Sequence, residues 1–361
     1  MRAAVVAAAL FPPQVRDWSL PAEVPLTSRA AQRLSREATT QPFAKAAAAL
    51  SEDWGIALDG KQIQRWAQVL GGQVVNLRTA EVQAHEQGWR PGSPANPPEL
   101  LVIGMDGGRV QTREKQGEND SRWREDKVLT ITSYLPGDGT KEHPPQPLVT
   151  TYAATMGDSE CFGPMVRIEA ERRGISRSRT VLVVADGGNW IDPLCQREKL
   201  HDQRIVDFYH AVEHVYEAAR AALGKDSPAA TTLAQQLKDA LKGGQVDQVI
   251  AALQEHAARV GPLQESDGPD HPRRVLANNV GYFQKHRHQM DYPAYRKKGW
   301  PIGSGVTESG VKQFNKRVKG TEQFWTERGV ESILALRSLW LSEDDRWNSY
   351  WNNRTAYLMS A

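Results

Sequence analysis

The sequence predicts an α/β protein: a mixed central sheet with helices outside it, interrupted by a large all-helical insertion and preceded by a small helical unit. Three observations carry that reading. Short apolar runs near residues 100–105 and 180–185 have strand length and end in the same tripeptide, Asp-Gly-Gly. The text from His210 to about Met290 is almost entirely Ala-, Leu- and Gln-rich with helical spacing. A proline-rich stretch, Pro91 to Pro98, separates the first helical region from the first strand.

Taken in order, residues 1–25 read as an irregular N-terminus; a secretory leader fits poorly, because Phe11-Pro12-Pro13 stands where a small-residue cleavage site is needed. Residues 26–90 read as three helices. Ser28 caps the first, the second ends at Trp54-Gly55, and the third opens at Asp59-Gly60 with Ile63, Trp66, Leu70 and Val74 on one face. Tight turns between short helices fit a helix-turn-helix-like unit, with Lys61 and Arg65 among the polar positions offered to DNA. Residues 91–98 form the linker. Strands follow at Leu100–Met105, Val128–Tyr134 and Leu148–Ala154, then a helix Phe162–Arg173 stopped by Gly174. A strand Thr180–Ala185, a short helix Ile191–Leu200 and a strand Arg204–Phe208 complete the sheet. These pieces assign 99–209 and 300–345 to one α/β domain, 210–299 to the insertion and 346–361 to a C-terminal tail.

Composition narrows the function. Two cysteines in 361 residues exclude a disulfide scaffold and a cysteine-rich zinc module. No apolar run is long enough for a membrane span. The net charge of +2 hides a polarised chain. Residues 201–270 hold six Lys and Arg against eleven Asp and Glu, whereas 271–320 hold eleven Lys and Arg against only Asp291 and Glu308. The second segment has the charge of an anion-binding surface.

The candidate chemistry lies in three acids. Asp106 and Asp186 each follow an apolar strand and precede two glycines, which allow close approach of a ligand or another backbone. A lone Asp-Gly-Gly is an ordinary turn, but two in one sheet place two carboxylates at one end. Glu308 opens a helix after Gly303-Ser304-Gly305, with Lys312 and Lys316 on its own face and Arg317 and Lys319 following. Dipole complementarity explains a glutamate there, but not the dearth of other acids nearby. Hard oxygen ligands suit Mg²⁺ or Mn²⁺, and two such ions can hold both oxygens of an in-line phosphoryl displacement.

At these residues the chain resembles the DDE transposases of bacterial insertion sequences, most closely the ISKra type. The resemblance spans about residues 100 to 345. It rests on Gly104 to Glu114, Trp123-Arg-Glu-Asp-Lys127, Ala185-Asp186-Gly-Gly-Asn-Trp190-Ile191, Gly303-Ser-Gly-Val-Thr-Glu308-Ser309 and Arg317-Val-Lys-Gly320 before Trp325. It implies a ribonuclease-H-like fold and an acidic triad of Asp106, Asp186 and Glu308 binding two Mg²⁺ or Mn²⁺ ions. It further implies DNA partners, a homodimer or higher oligomer on DNA, and a cytoplasmic, nucleoid-associated bacterial protein. Relatives carry an all-helical insertion where 210–290 falls, and an Asp-x-x-His element that matches Asp207 to His210. His210 is thereby expected near the DNA strand; a zinc pair with His214 lacks further ligands. Arg109, Lys297, Lys298, Lys312, Lys316, Arg317 and Lys319 are expected on phosphates, and Trp325 either on an unpaired base or in the core. Two rivals stand beside this reading: a catalytically inactive DNA-binding derivative, and a glycoside hydrolase using an acid pair.

Overall fold

The computed structural model describes residues 24–116, 121–320 and 323–360, with side chains at 116 and 355–360 left aside. Three helices come first: α1 (Ser28–Thr40), α2 (Phe43–Trp54) and α3 (Gly60–Glu86). Thr27, not Ser28, caps α1 by accepting from the Ala30 amide, and Asp59 caps α3 by accepting from Gln62. Gly55 ends α2 in the left-handed conformation, φ 65°, where a side chain is disfavoured.

Five strands make a mixed sheet in the order β3-β2-β1-β4-β5. These are β1 (Leu100–Gln116), β2 (Ser121–Leu135), β3 (Gln146–Thr155), β4 (Thr180–Ala185) and β5 (Gln203–Val206). β1, β2 and β3 are antiparallel neighbours, whereas β1–β4 and β4–β5 are parallel. The parallel connections carry helices, α4 (Ser159–Arg172) before β4 and α5 (Ile191–Glu198) before β5. The insertion follows as α6 (Phe208–Leu223), α7 (Pro228–Lys242), α8 (Val246–Val260) and α9 (Pro272–His286). A 3₁₀ turn at Arg287–Gln289 and α10 (Tyr292–Lys297) close it. Then come α11 (Gly305–Val318), α12 (Glu327–Leu341) and α13 (Arg346–Ser360).

The alternation of side chains along the strands sorts the core into layers. Leu101, Ile103, Met105, Val181 and Val183 face α4 and α5. Leu100, Val102, Leu182 and Val184 face the other way, onto the helical insertion. On that same face, further along β1 and β2, Val110 and Val128 meet α11, α12 and the N-terminal helices.

Three expectations change. β1 does not stop at Met105: it runs on to Gln116, because β2 keeps pairing with it, Asp106 opposite Val128 and Gly108 opposite Asp126. The N-terminal helices do not stand apart behind the Pro91–Pro98 linker. Ala31, Leu34, Leu50, Ile63 and Leu70 share one apolar cluster with Phe314, Ile333 and Leu336. The expected tail over 346–361 is, as far as residue 360, the helix α13, which buries Trp347, Tyr350 and Trp351 in that cluster; residue 361 lies outside the described residues.

Candidate active site and its surroundings

The register between β1 and β4 pairs Leu100 with Thr180 and Ile103 with Val183, a constant offset along the parallel ladder. Carried three residues further, it sets Asp106 and Asp186 at the same level, just past the end of that ladder. Both are half-buried. Asp106 Oδ1 accepts from the Gly107 amide at 2.6 Å, and Asp186 Oδ1 accepts from the Gly188 amide at 2.9 Å.

Glu308 reaches this level from α11, which is docked tightly on the sheet. The buried hydroxyls of Thr130 on β2 and Thr307 on α11 are 2.8 Å apart. A Cβ at Gly104 would lie 1.8 Å from Thr307 Oγ1, so only glycine admits the helix this close. Gly310, one turn on, lies against Tyr152 and Thr130 in the same way. The helix thereby brings Glu308, the residue after Thr307, to where its charge acts on Asp106.

The charges sense one another. Burial pushes the Asp106 carboxyl above its usual range, and the negative charges of Asp186 and Glu308 push it further; the Gly107 amide and His210 oppose the shift. His210, in the first turn of α6, is therefore within electrostatic reach of Asp106, and its Nδ1 lies 3.4 Å from Glu213. His214 bonds Asn279 at 2.7 Å and stacks on Tyr282 at 3.8 Å between ring centres.

By donor type the three acids suit Mg²⁺ or Mn²⁺. They do not close round one point: among the described residues no three His, Cys, Asp or Glu side chains are gathered so as to hold a metal ion. Each acid is instead engaged locally, Asp106 and Asp186 with the amides above and Glu308 with Lys312 at 3.7 Å.

Two further residues shape the site: Asp207, known from sequence only as part of the Asp-x-x-His element, and Asp126, which sequence reasoning passed over. Asp207, wholly buried, caps α6 through the Tyr209 and His210 amides at 2.6 and 2.9 Å. Its other oxygen accepts from the Ser304 amide, tying the start of α6 to the loop that launches α11. The Asp-x-x-His spacing shows neither the cap nor its second partner, 97 residues away. Asp126, also wholly buried, has no hydrogen-bond partner at either oxygen among the described residues. Burial lifts it to about 6 against the pull of its own backbone amide, with Glu125 and Asp106 adding to the rise.

The expected DNA contacts divide. Arg109, Lys61, Arg65, Lys297, Lys298, Lys312, Lys316 and Lys319 are exposed. Arg317 is not: only 2% of it is accessible. Its Nε donates to the Ala38 carbonyl at 2.6 Å, and its guanidinium lies over the rings of Phe43 and Trp325. Trp325 is likewise core, donating from its indole to the Val318 carbonyl at 2.9 Å. Neither can meet DNA as placed. The exposed aromatics nearby are Phe324 and Trp123, faced by Arg122 and Lys319.

No family model matches the chain, and no curated protein matches it in sequence. Among solved structures it overlays on a chain of the Drosophila P element transposase strand transfer complex. The overlay has a TM-score of 0.39 and 11% identity, over 89% of this chain and 93% of that one, a likeness too slight to carry an argument.

Proposed function

We propose that the chain is a DDE-type transposase with a ribonuclease-H-like core, cutting DNA at the ends of a mobile element and joining them to target DNA. The observation that supports this best is the common level of two sequence-distant acids at one end of the sheet, with the charge of a third acting on them. Asp106 and Asp186 share a level on neighbouring parallel strands, and α11 brings Glu308 into the same field.

Water opens the phosphodiester at the element end and leaves a 3′-hydroxyl; that hydroxyl then displaces a phosphodiester oxygen of the target strand. Asp106 and Asp186 would hold the divalent ions, with Glu308 completing the set. When bound, such ions supply positive charge at the attacking and leaving oxygens. The bases on α11, Lys312 and Lys316, and beyond it Lys319, lie along the backbone phosphates, as does Arg109 on β1. Lys61 and Arg65 on α3, with Lys297 and Lys298 at the end of α10, extend that footprint, and His210 abuts the strand beside Asp106. The chain works as a dimer or larger assembly on DNA, in the bacterial cytoplasm.

The test uses a duplex made from the DNA that flanks the coding sequence, with Mg²⁺ or Mn²⁺. Wild type should nick it, and Asp106→Asn, Asp186→Asn and Glu308→Gln should each cut about a hundredfold more slowly or worse while still binding. Equal cutting by wild type and Asp186→Asn would dismiss the triad. Binding without cutting by every form would favour an inactive derivative.

A further inference from the structure

Asp186 sits on a turn with two glycines after it, the most pliable backbone a sequence can specify. What holds that turn is a buried cation. Arg204 on β5, 4% exposed, sends its guanidinium across the end of β4. One terminal nitrogen donates to the Ala185 carbonyl at 3.1 Å and to the Ile205 carbonyl; the other donates to the carbonyl of Asp186 itself. Its Nε donates to Asp192 Oδ1 at 3.1 Å. The second oxygen of Asp192 accepts from Gln289 Nε2 at 3.2 Å, in the 3₁₀ turn that follows α9. From the opposite side, Gly187 is pressed by Tyr282 of α9, whose ring carbon would lie 2.3 Å from an added Cβ.

We propose that Arg204 is the positioning residue for Asp186, and that through Asp192 and Gln289 it couples that carboxylate to the seating of the helical insertion. This rests on the transposase reading for its catalytic consequence, but not for its structural one. A planar, permanently charged fork can serve three carbonyls and a carboxylate at once; a lysine ammonium, a compact point charge, cannot reproduce that spread. The arrangement also accounts for a buried cation beside Ile205 and Val206 in β5. A buried guanidinium surrounded by acceptors is a strong constraint, and groups that orient a site from behind are commonly worth about 10–100-fold in activity.

The experiment compares wild type, Arg204→Lys and Asp192→Asn in the full chain. Amide hydrogen exchange over residues 186–189 reads the turn directly, without requiring turnover, and the flanking-DNA nicking assay reads the consequence. Arg204→Lys should speed exchange at 186–189 selectively, leave α1 to α3 unchanged, and slow nicking about 10–100-fold with DNA affinity intact. Asp192→Asn, which keeps Arg204, should give the same pattern more weakly, and it serves as the test should Arg204→Lys fail to fold. Unchanged exchange at 186–189 in a folded variant would overturn the proposal. So would a nicking loss no greater than the loss of folded protein. If the turn loosens as expected but wild type never nicks DNA, positioning stands and the transposase reading fails.

Discussion

The two Asp-Gly-Gly tripeptides are identical as text and opposite as mechanics. The first lies inside a long antiparallel ribbon. Its backbone is paired with β2 on both sides of Asp106, and its glycines face the side chains of Glu125 and Asp126. The second ends a short, buried parallel strand; its carbonyls go to Arg204, and Gly187 faces an aromatic ring. One carboxylate is fixed by its strand ladder, the other by side chains arriving from β5 and the insertion. The same three letters thus mark two positions, but not two copies of one device.

The sharpest way to break that comparison is to add one methyl group to each tripeptide. Gly187→Ala sets a Cβ 2.3 Å from the Tyr282 ring, which is packed against His214, so unfolding experiments should show a loss of about 2–3 kcal/mol. At Gly107→Ala the three nearest atoms all belong to Glu125, Oε1 at 2.6 Å and Cδ and Cγ at 3.3 Å, a half-exposed, flexible side chain; its cost should stay within about 0.5 kcal/mol. Equal losses would mean that the two tripeptides are held alike after all.

The first tripeptide has a liability that the second lacks, in Asp126 opposite Gly108, whose carboxyl has no hydrogen-bond partner among the described residues. Its folded value of about 6 stands above the ordinary 3.8, so the folded state binds the proton more tightly than the unfolded chain. The associated stability is complete below about pH 3.8 and is lost as pH rises through 6. Relative to Asp126→Asn, wild type should lose about 2–3 kcal/mol between pH 3.5 and 8, measured by denaturant titration at each pH. A flat difference would place a partner on that carboxylate.

Smaller in energy, but decisive for the surface, is the contrast along α11. Lys316→Ala should reduce the slope of log affinity against log salt by about 1 and leave stability nearly unchanged. Arg317→Met should leave the salt slope alone and lower the unfolding midpoint. The reverse result would return Arg317 to the DNA face.

Much of this was legible beforehand. Thr180–Ala185 was predicted to the residue, because a short β-branched run between turn signals has no good helical alternative. The start of α3 is readable from Asp59, whose side chain can satisfy free amides locally; the strand expected over Arg204–Phe208 instead ends at Val206, and Asp207 caps α6. The extension of β1 was not, because Gly107-Gly108 signals a turn unless a partner strand supplies the missing hydrogen bonds, and that partner lies some 20 residues on. Arg317 was misread for the same kind of reason. On a lysine-rich helix it looks solvated, and its burial depends on Phe43 and Trp325, which no local pattern connects to it. At the site, the three acids were visible as residue types; their mutual distance depends on how closely Gly104 admits α11, a steric fact that no spacing rule reveals.

The apolar cluster that α3 shares with α12 and α13 sets an order of events on the ribosome. The stripe of Ile63, Ala67, Leu70 and Val74 emerges early, yet its companions Ile333, Leu336 and Trp351 are made more than 250 residues later. At about 5–20 residues per second, that stripe waits tens of seconds for its cover. Until then the nascent chain carries an open greasy seam of the kind that chaperones hold. A chain cut before α12 would keep that seam for good, so truncations at this end should be judged first by solubility and only afterwards by activity.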